Sequence, residues 1–221
     1  MIDTVIFDLD GVICSTDLYH TRAWSALCEK KGYDFPEEVQ NRLKGISRKA
    51  SYQKILDYNG VKETSKQILI STDWKNNYYK KLLSKMNKNS LEKKVKDTLL
   101  ELKEKKYLLA VASSSRNAEF ILEQIGLKGF FDTVVTGNMI TQTKPNPEIF
   151  LKAAAILGKE SKYCLVVEDA ESGVEAALRA GMKAIAFNQD KINFKSKDIK
   201  KTNNFKMIPT LITDFSNIPL N

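Results

Sequence analysis

Thr4-Val5-Ile6-Phe7-Asp8-Leu9-Asp10-Gly11-Val12 decides the fold. Residues 4–9 form a short apolar run of the kind that is buried on both faces of a parallel sheet. Two acids, Asp8 and Asp10, stand at its end, and Gly11 allows the turn that follows. Similar runs recur at 108–112, 133–136, 164–167 and 184–187. Helical patterns at 91–105, 117–125, 147–157 and 172–180 separate the later runs. This alternation predicts an α/β protein, a Rossmann-like parallel sheet with helices on both faces. Asn146-Pro147-Glu148 reads as an N-cap, a first-position proline and a first-turn acid. Gly126, Gly158 and Gly181 each follow a helical pattern as stops.

The first run is not followed directly by a second strand. Helical patterns at 20–31, 37–43, 48–58 and 65–85 intervene, too much chain for a βα loop. In the first pattern, Ala23, Trp24, Leu27 and Cys28 form a helical stripe. The segment is expected to be an inserted α-helical cap domain, 16–89, in a discontinuous core domain, 1–15 and 90–221. Polar stretches at 14–17 and 86–90 are the expected hinges. The tail 189–221 is Lys- and Asn-rich and has no decisive pattern. A short strand and a final helix are the elements expected there.

Composition narrows the function classes. The chain has 221 residues, a formal net charge of +8 and 43% hydrophobic residues, so it can bury a core and is not a disordered polymer. No apolar run approaches the roughly 18 residues of a membrane span. The first residues carry an acid where a secretion signal needs a basic stretch, so a cytoplasmic chain without membrane contact is expected. Cys14, Cys28 and Cys164 are few and far apart, which argues against structural zinc and a disulfide framework. The single histidine, His20, excludes any site needing two.

The +8 balance alone admits a nucleic-acid partner. Residues 75–106 hold eleven lysines against four acids. These fall on helical patterns with acids at helix-surface spacing, which describes a solvated face. No nucleic-acid-binding signature accompanies them. A basic nucleic-acid-binding protein therefore ranks as the distant alternative.

The chemistry sits where apolar runs end. Glu168-Asp169 closes the run 164–167 and places two more acids at the carboxyl edge of the sheet, where open α/β folds bind ligands. With Asp8 and Asp10 they form an oxygen-rich group suited to Mg²⁺. Without a cation, four acids so close repel one another. Ser113-Ser114-Ser115-Arg116-Asn117 follows the run at 108–112, and hydroxyls and N–H groups at such a turn cradle phosphate. Lys144-Pro145 precedes a helix and offers a cation to a phosphate oxygen.

In this order, Asp8-Leu9-Asp10-Gly11, Ser113, Lys144-Pro145 and Glu168-Asp169 resemble the four motifs of the haloacid dehalogenase (HAD) superfamily. The resemblance implies that Asp8 is the nucleophile that becomes an aspartyl phosphate. It implies that Asp10 is the general acid and base. Ser113 and Lys144 would hold the transferring phosphoryl group. Asp8, Asp10 (through its main chain), Glu168 and Asp169 would hold Mg²⁺. Dehalogenases and phosphonate hydrolases of the superfamily lack an acid two residues after the nucleophile, so Asp10 favours phosphoryl transfer.

Two further stretches, Tyr19-His20-Thr21-Arg22-Ala23-Trp24 and Lys44-Gly45-Ile46-Ser47-Arg48, resemble the β-phosphoglucomutase family within that superfamily. The likeness runs nearly the full length and weakens after Asn188. It implies an isomerase that interconverts β-glucose 1-phosphate and glucose 6-phosphate through β-glucose 1,6-bisphosphate. Arg48 would grip a distal phosphate, with Ser114, Ser115, Arg116 and Asn117 on the core side. Gly45 and Ile46 would meet the sugar, together with Thr16 and Trp24. His20 and Lys75 would orient Asp10 and gate closure of the cap, which would exclude water from the aspartyl phosphate.

Arg116 stands where the family carries lysine, and Ser114 stands where it carries alanine. Cys14 and Ser15 also depart from the family at the hinge. None of these changes removes a charge that the chemistry needs. Taken alone, His20 is more often a packing residue, Trp24 a core residue and Arg48 a surface helix start. The contiguous pattern gives them their functional readings. A sugar-phosphate phosphatase on the same scaffold is the nearer alternative. The expected partner is a phosphorylated sugar, and the expected state is a monomer.

Overall fold

The computed structural model describes residues 1–43, 46–188 and 196–216. The chain divides into two compact units. One is Met1–Ser15 with Asn87–Asn221, and the other is Thr16–Met86. Residues 87–89, counted above with the cap, lie in the first.

Among the described residues, the first unit carries six strands. These are β1 (Thr4–Phe7), β2 (Leu108–Ser113), β3 (Thr133–Thr136), β4 (Cys164–Glu168), β5 (Lys183–Phe187) and β6 (Ile199–Thr202). All pair in parallel in the order β3-β2-β1-β4-β5-β6. β1 is central: Phe7 aligns with Val111 on β2 and with Val167 on β4. The segments that follow these three residues therefore leave the sheet side by side. That adjacency builds the site.

The helices are numbered through the whole chain. α1 (Asp17–Lys31), α2 (Glu37–Asn41), α3 (Arg48–Tyr58) and α4 (Ser65–Leu83) belong to the second unit. α5 (Lys93–Glu104), α6 (Ala118–Gln124), α7 (Glu148–Ile156), α8 (Glu171–Arg179) and α9 (Ile208–Ser216) belong to the first. Strand alternation divides the sheet residues between two layers. Ile6, Ala110, Val135 and Val166 pack with Ile149 and Phe150 of α7 and with Val174 and Ala177 of α8. Phe7 faces the other way and stacks on Phe205, their centroids 6.0 Å apart. α5 and α9 cover that face. Every sequence run expected to be a strand is one. β6 and α9 fill the tail, where the pattern is faint because β6 is an edge strand carrying Lys200 and Lys201.

The lysine-rich surface of α5 follows the spacing of its acids. Lys93 pairs with Asp97 at 2.5 Å and Lys105 with Glu101 at 2.7 Å, both four residues apart. Such exposed pairs contribute only tenths of a kcal/mol and mark a solvated face. No helix among the described residues is long and apolar enough to cross a membrane.

The second unit has its own core of Trp24, Leu27, Cys28, Val39, Tyr52, Ile55 and Leu56. Glu63, in the link between α3 and α4, ties it together. One carboxylate oxygen accepts from Lys31 Nζ at 2.9 Å, Tyr33 Oη at 3.1 Å and Tyr52 Oη at 3.0 Å. The other accepts from Ser71 Oγ at 3.4 Å. Burial alone raises a carboxyl pKa, but these donors reverse it and hold Glu63 below its ordinary value.

Glu63→Ala removes the acceptor shared by Lys31, Tyr33 and the fully buried Tyr52 and should cost about 2 kcal/mol of stability. Both tryptophans of the chain, Trp24 and Trp74, lie in this unit, so urea unfolding followed by tryptophan fluorescence reports it directly. Because the folded pKa is depressed, the contribution is complete above the ordinary Glu value and fades as pH falls through the folded one. The gap between wild type and variant should therefore shrink under acid. A pH-independent gap would show that the carboxylate charge contributes nothing.

Candidate active site

The site candidates of the first unit stand at strand ends or on the segments that follow the strands. Asp8 comes directly after β1, Ser113 ends β2, and Glu168 ends β4. All three are buried, with exposures of 7%, 2% and 1%. Lys144 lies on the segment before α7. Its Nζ meets Asp8 Oδ1 at 2.5 Å, makes a short contact with Glu168 Oε1, and lies 3.4 Å from the Ala112 carbonyl. It also sits 4.9 Å from the centre of the Phe150 ring.

Burial disfavours the Lys144 ammonium, but Asp8 and Glu168 outweigh it and lift its pKa above the ordinary lysine value. Asp8 is pushed the other way. Burial raises its pKa well above the carboxylate range, Lys144 opposes this, and Glu168 and Asp10 add to it. Asp169 is pushed up to about 7 by burial and then by Glu168, with Asp10 contributing less. Cys14 is also raised, by burial and by Asp10 and Asp8. The region is overloaded with negative charge.

Two glycines make this crowding possible. A Cβ on Gly11, whose φ is +87°, would lie 1.9 Å from Asp169 Oδ2. A Cβ on Gly173, in the first turn of α8, would lie 2.0 Å from the Glu168 carboxyl carbon. Each bare Cα is the wall of a carboxylate site. Sequence reading marked Gly11 as a turn residue and missed Gly173, because a glycine inside a helix shows nothing of what it abuts.

The oxygen donors suit a hard cation, and like charges pressed together would be relieved by one. However, both Glu168 oxygens are engaged, one by Lys144 and the other by the Ala170 N–H at 2.8 Å. Among the described residues, no group of three or more His, Cys, Asp or Glu side chains is arranged to hold a metal alone. The four acids expected as ligands are thus looser than a preformed cage. That is compatible with Mg²⁺, which takes one or two carboxylates and completes its shell with water and phosphate oxygens.

The phosphate-loop candidates form a chain of turns. Ser113 Oγ accepts from the Ser115 N–H at 3.1 Å, and Ser115 Oγ accepts from the Asn117 N–H at 3.2 Å. Ser114 and Arg116 lie between them. Gly137 backs the loop, since a Cβ there would sit 2.1 Å from the Ser114 carbonyl oxygen.

The remaining candidates belong to the second unit and form two groups. Arg48, in the first turn of α3, donates to Asn76 Oδ1 on α4 at 2.7 Å. Sequence reading missed Asn76, whose polar position on α4 carries no signal of its own. The second group is centred on Lys75, which is 1% exposed. Its Nζ lies 2.8 Å from His20 Nδ1, over the rings of Trp24 and Tyr79. The Tyr79 hydroxyl donates to Thr16 Oγ1 at 2.9 Å. Burial, with the Arg48 charge, pulls the Lys75 pKa down to about 7. Burial, then Lys75 and Arg48, holds His20 well below the ordinary histidine value. Trp24, 3% exposed, stacks on Tyr52, which is the packing position its residue type predicts in isolation. Ile46 is 37% exposed, and Gly45 lies outside the described residues.

Alanine in place of a helical glycine normally adds about 0.5–1 kcal/mol of stability. Gly173→Ala should instead displace the Glu168 carboxylate and lower turnover at least tenfold while the melting temperature moves by only a few degrees. Full turnover in this variant would show that the contact is irrelevant to chemistry.

Comparison with known proteins agrees with the geometry. Residues 5–187 match the family model described as haloacid dehalogenase-like hydrolase. A β-phosphoglucomutase of Bacillus subtilis is 39% identical over 189 residues, covering 84% of this chain and 83% of that protein. A fructose-1-phosphate phosphatase of Escherichia coli is 28% identical, covering 82% of this chain and 94% of that protein. The crystal structure of a β-phosphoglucomutase from Clostridium difficile superposes with a TM-score of 0.87 at 30% identity, covering 98% and 99% of the two chains. The relatives include both a mutase and a phosphatase, and the family supports sugar-phosphate phosphoryl transfer or hydrolysis. The chain is therefore an enzyme of the haloacid dehalogenase-like hydrolase family.

Proposed function

We propose that the enzyme is a β-phosphoglucomutase, an isomerase acting on β-glucose 1-phosphate and glucose 6-phosphate. The 39% identity to the Bacillus subtilis mutase, against 28% to the phosphatase, carries this reading. Its chemical counterpart is Arg48, a cation outside the core site and oriented by Asn76. A phosphatase needs to grip one phosphate. A mutase working through a bisphosphate must grip two.

Asp8 supplies the nucleophilic carboxylate, with Lys144 holding Oδ1. Asp10 donates a proton to the departing sugar oxygen and later takes one from the attacking hydroxyl. Ser113 and Lys144 bind the non-bridging oxygens of the phosphoryl group, whose transfer is governed by positioning and charge neutralisation. Enzymes of this family generally use Mg²⁺. Here Asp8, Asp10, Glu168 and Asp169 would hold it, and it would offset charge on the phosphoryl oxygens. Arg48 takes the second phosphate through its fork.

Pure β-glucose 1-phosphate with Mg²⁺ and trace β-glucose 1,6-bisphosphate should give glucose 6-phosphate in large excess over free phosphate. Free phosphate as the main product would favour the sugar-phosphate phosphatase instead. Asp8→Asn or Asp10→Asn should cut turnover by at least ~10²-fold in either assay, with circular dichroism unchanged. Arg48→Ala removes a charged contact, so mutase kcat/KM should fall roughly 10- to 100-fold. Hydrolysis of a small phosphate ester should fall much less. Equal losses in the two reactions would remove Arg48 from the distal site.

A further inference from the structure

Lys144 is the cation of the core site, yet it stands on a segment with neither helix nor strand between β3 and α7. A lysine side chain has many rotamers, and its reach to Asp8 and Glu168 depends on where its Cα is held. The carboxylate of Glu148, the first residue of α7, holds that segment. It accepts from the Thr141 N–H at 3.0 Å, the Thr141 hydroxyl at 3.0 Å and the Gln142 N–H at 2.7 Å. An acid at this position can simply complement the helix dipole. Glu148 instead reaches back six and seven residues and closes a ring around Lys144.

Asn146 completes the ring. Its Oδ1 accepts from the Glu148 N–H at 2.9 Å, its Nδ2 donates to Gln142 Oε1 at 2.6 Å, and its own N–H donates to the Thr143 carbonyl at 3.0 Å. The same helix supplies the fully buried Phe150, whose ring lies beneath the Lys144 ammonium. One end of α7 thus fixes both the backbone that bears Lys144 and the surface its side chain crosses. The donors around Glu148 hold its pKa below the ordinary value, so it remains a charged acceptor at neutral pH.

We propose that Glu148 is a positioning residue that fixes the Lys144 ammonium against the phosphoryl group. This rests on the phosphoryl-binding role given to Lys144 above. It holds equally for transfer to a sugar and for transfer to water. Displacing a catalytic group by about 1 Å can cost on the order of 10²-fold in rate.

Glu148→Gln keeps the size but turns an NH₂ donor toward a backbone N–H. It should lower kcat roughly 10- to 100-fold with both β-glucose 1-phosphate and p-nitrophenyl phosphate, with little change in the melting temperature. A residue that only supports the fold would lower the melting temperature and act whatever stands at 144. The deciding measurement is therefore Glu148→Gln in a Lys144→Ala background, followed with enzyme in excess over p-nitrophenyl phosphate. With no ammonium left to place, the further loss should be under about twofold. A loss as large as that in wild type overturns the proposal. So does near-wild-type kcat for Glu148→Gln while Lys144→Ala is inactive. Wild-type turnover by Lys144→Ala itself would instead overturn the phosphoryl-transfer reading on which the proposal rests.

Discussion

A buried ammonium between two buried carboxylates is the constraint on which the site depends. Lys144 lies against both Asp8 and Glu168, and its ammonium is the positive charge that packing has brought to these two buried carboxyl groups. The two acids follow adjacent strands, β1 and β4, while the lysine arrives from a segment more than a hundred residues after Asp8. The site therefore exists only when three distant parts of the chain are assembled. Removing one partner would leave an uncompensated buried charge, which is usually far costlier than the net gain from making the pair.

The sheet order follows from the same requirement. A parallel sheet with β1 at its centre and β2 and β4 on either side delivers Asp8, Ser113 and Glu168 to one edge. Apolar alternation fixes which side chains of each strand enter which layer, so Ile6 and Phe7 anchor opposite faces. The polar groups that leave this rigid frame have little freedom in where they go. The two glycines complete the arrangement by leaving room for Asp169 and Glu168 against bare backbone. Positional accuracy here comes from packing, and the charges are placed by it.

Much of this is legible in the amino-acid sequence alone. Five apolar runs became five strands, four of them because central parallel strands have no polar face to confuse the signal, while β3 stands at the edge. The acids after β1 and β4 stood out because charge interrupts an apolar run only at its end. Gly126, Gly158 and Gly181 marked helix ends and lie at positive φ beyond α6, α7 and α8. What escaped has a physical reason in each case. The short strand expected in the tail is β6, but its position could not be read because it is half-exposed and carries two consecutive lysines in place of an apolar run. Asn76, Gly173 and the true reach of Glu148 are single residues whose partners are set by tertiary packing. Glu148 read as a first-turn acid, which it is, but the sequence does not reveal that its carboxylate turns back to the preceding segment. Lys75 read as a site residue by resemblance, while its burial over Trp24 and Tyr79 depends on the packing of α1 against α4.

The discontinuity of the first unit also bears on synthesis. β1 is made early, yet its neighbours β2 and β4 begin only at Leu108 and Cys164. At ~5–20 residues per second, about 10 to 30 s separate the central strand from its second partner. Until β2 is made, Thr4-Val5-Ile6-Phe7 is an apolar segment with both hydrogen-bonding edges open, and until β4 is made one edge stays open. The intervening Thr16–Met86 unit has a hydrophobic core of its own and can close while the strand waits. The order in which the chain leaves the ribosome thus separates an early, locally determined helical unit from a late, long-range sheet, and Asp8 belongs to the part that is finished last.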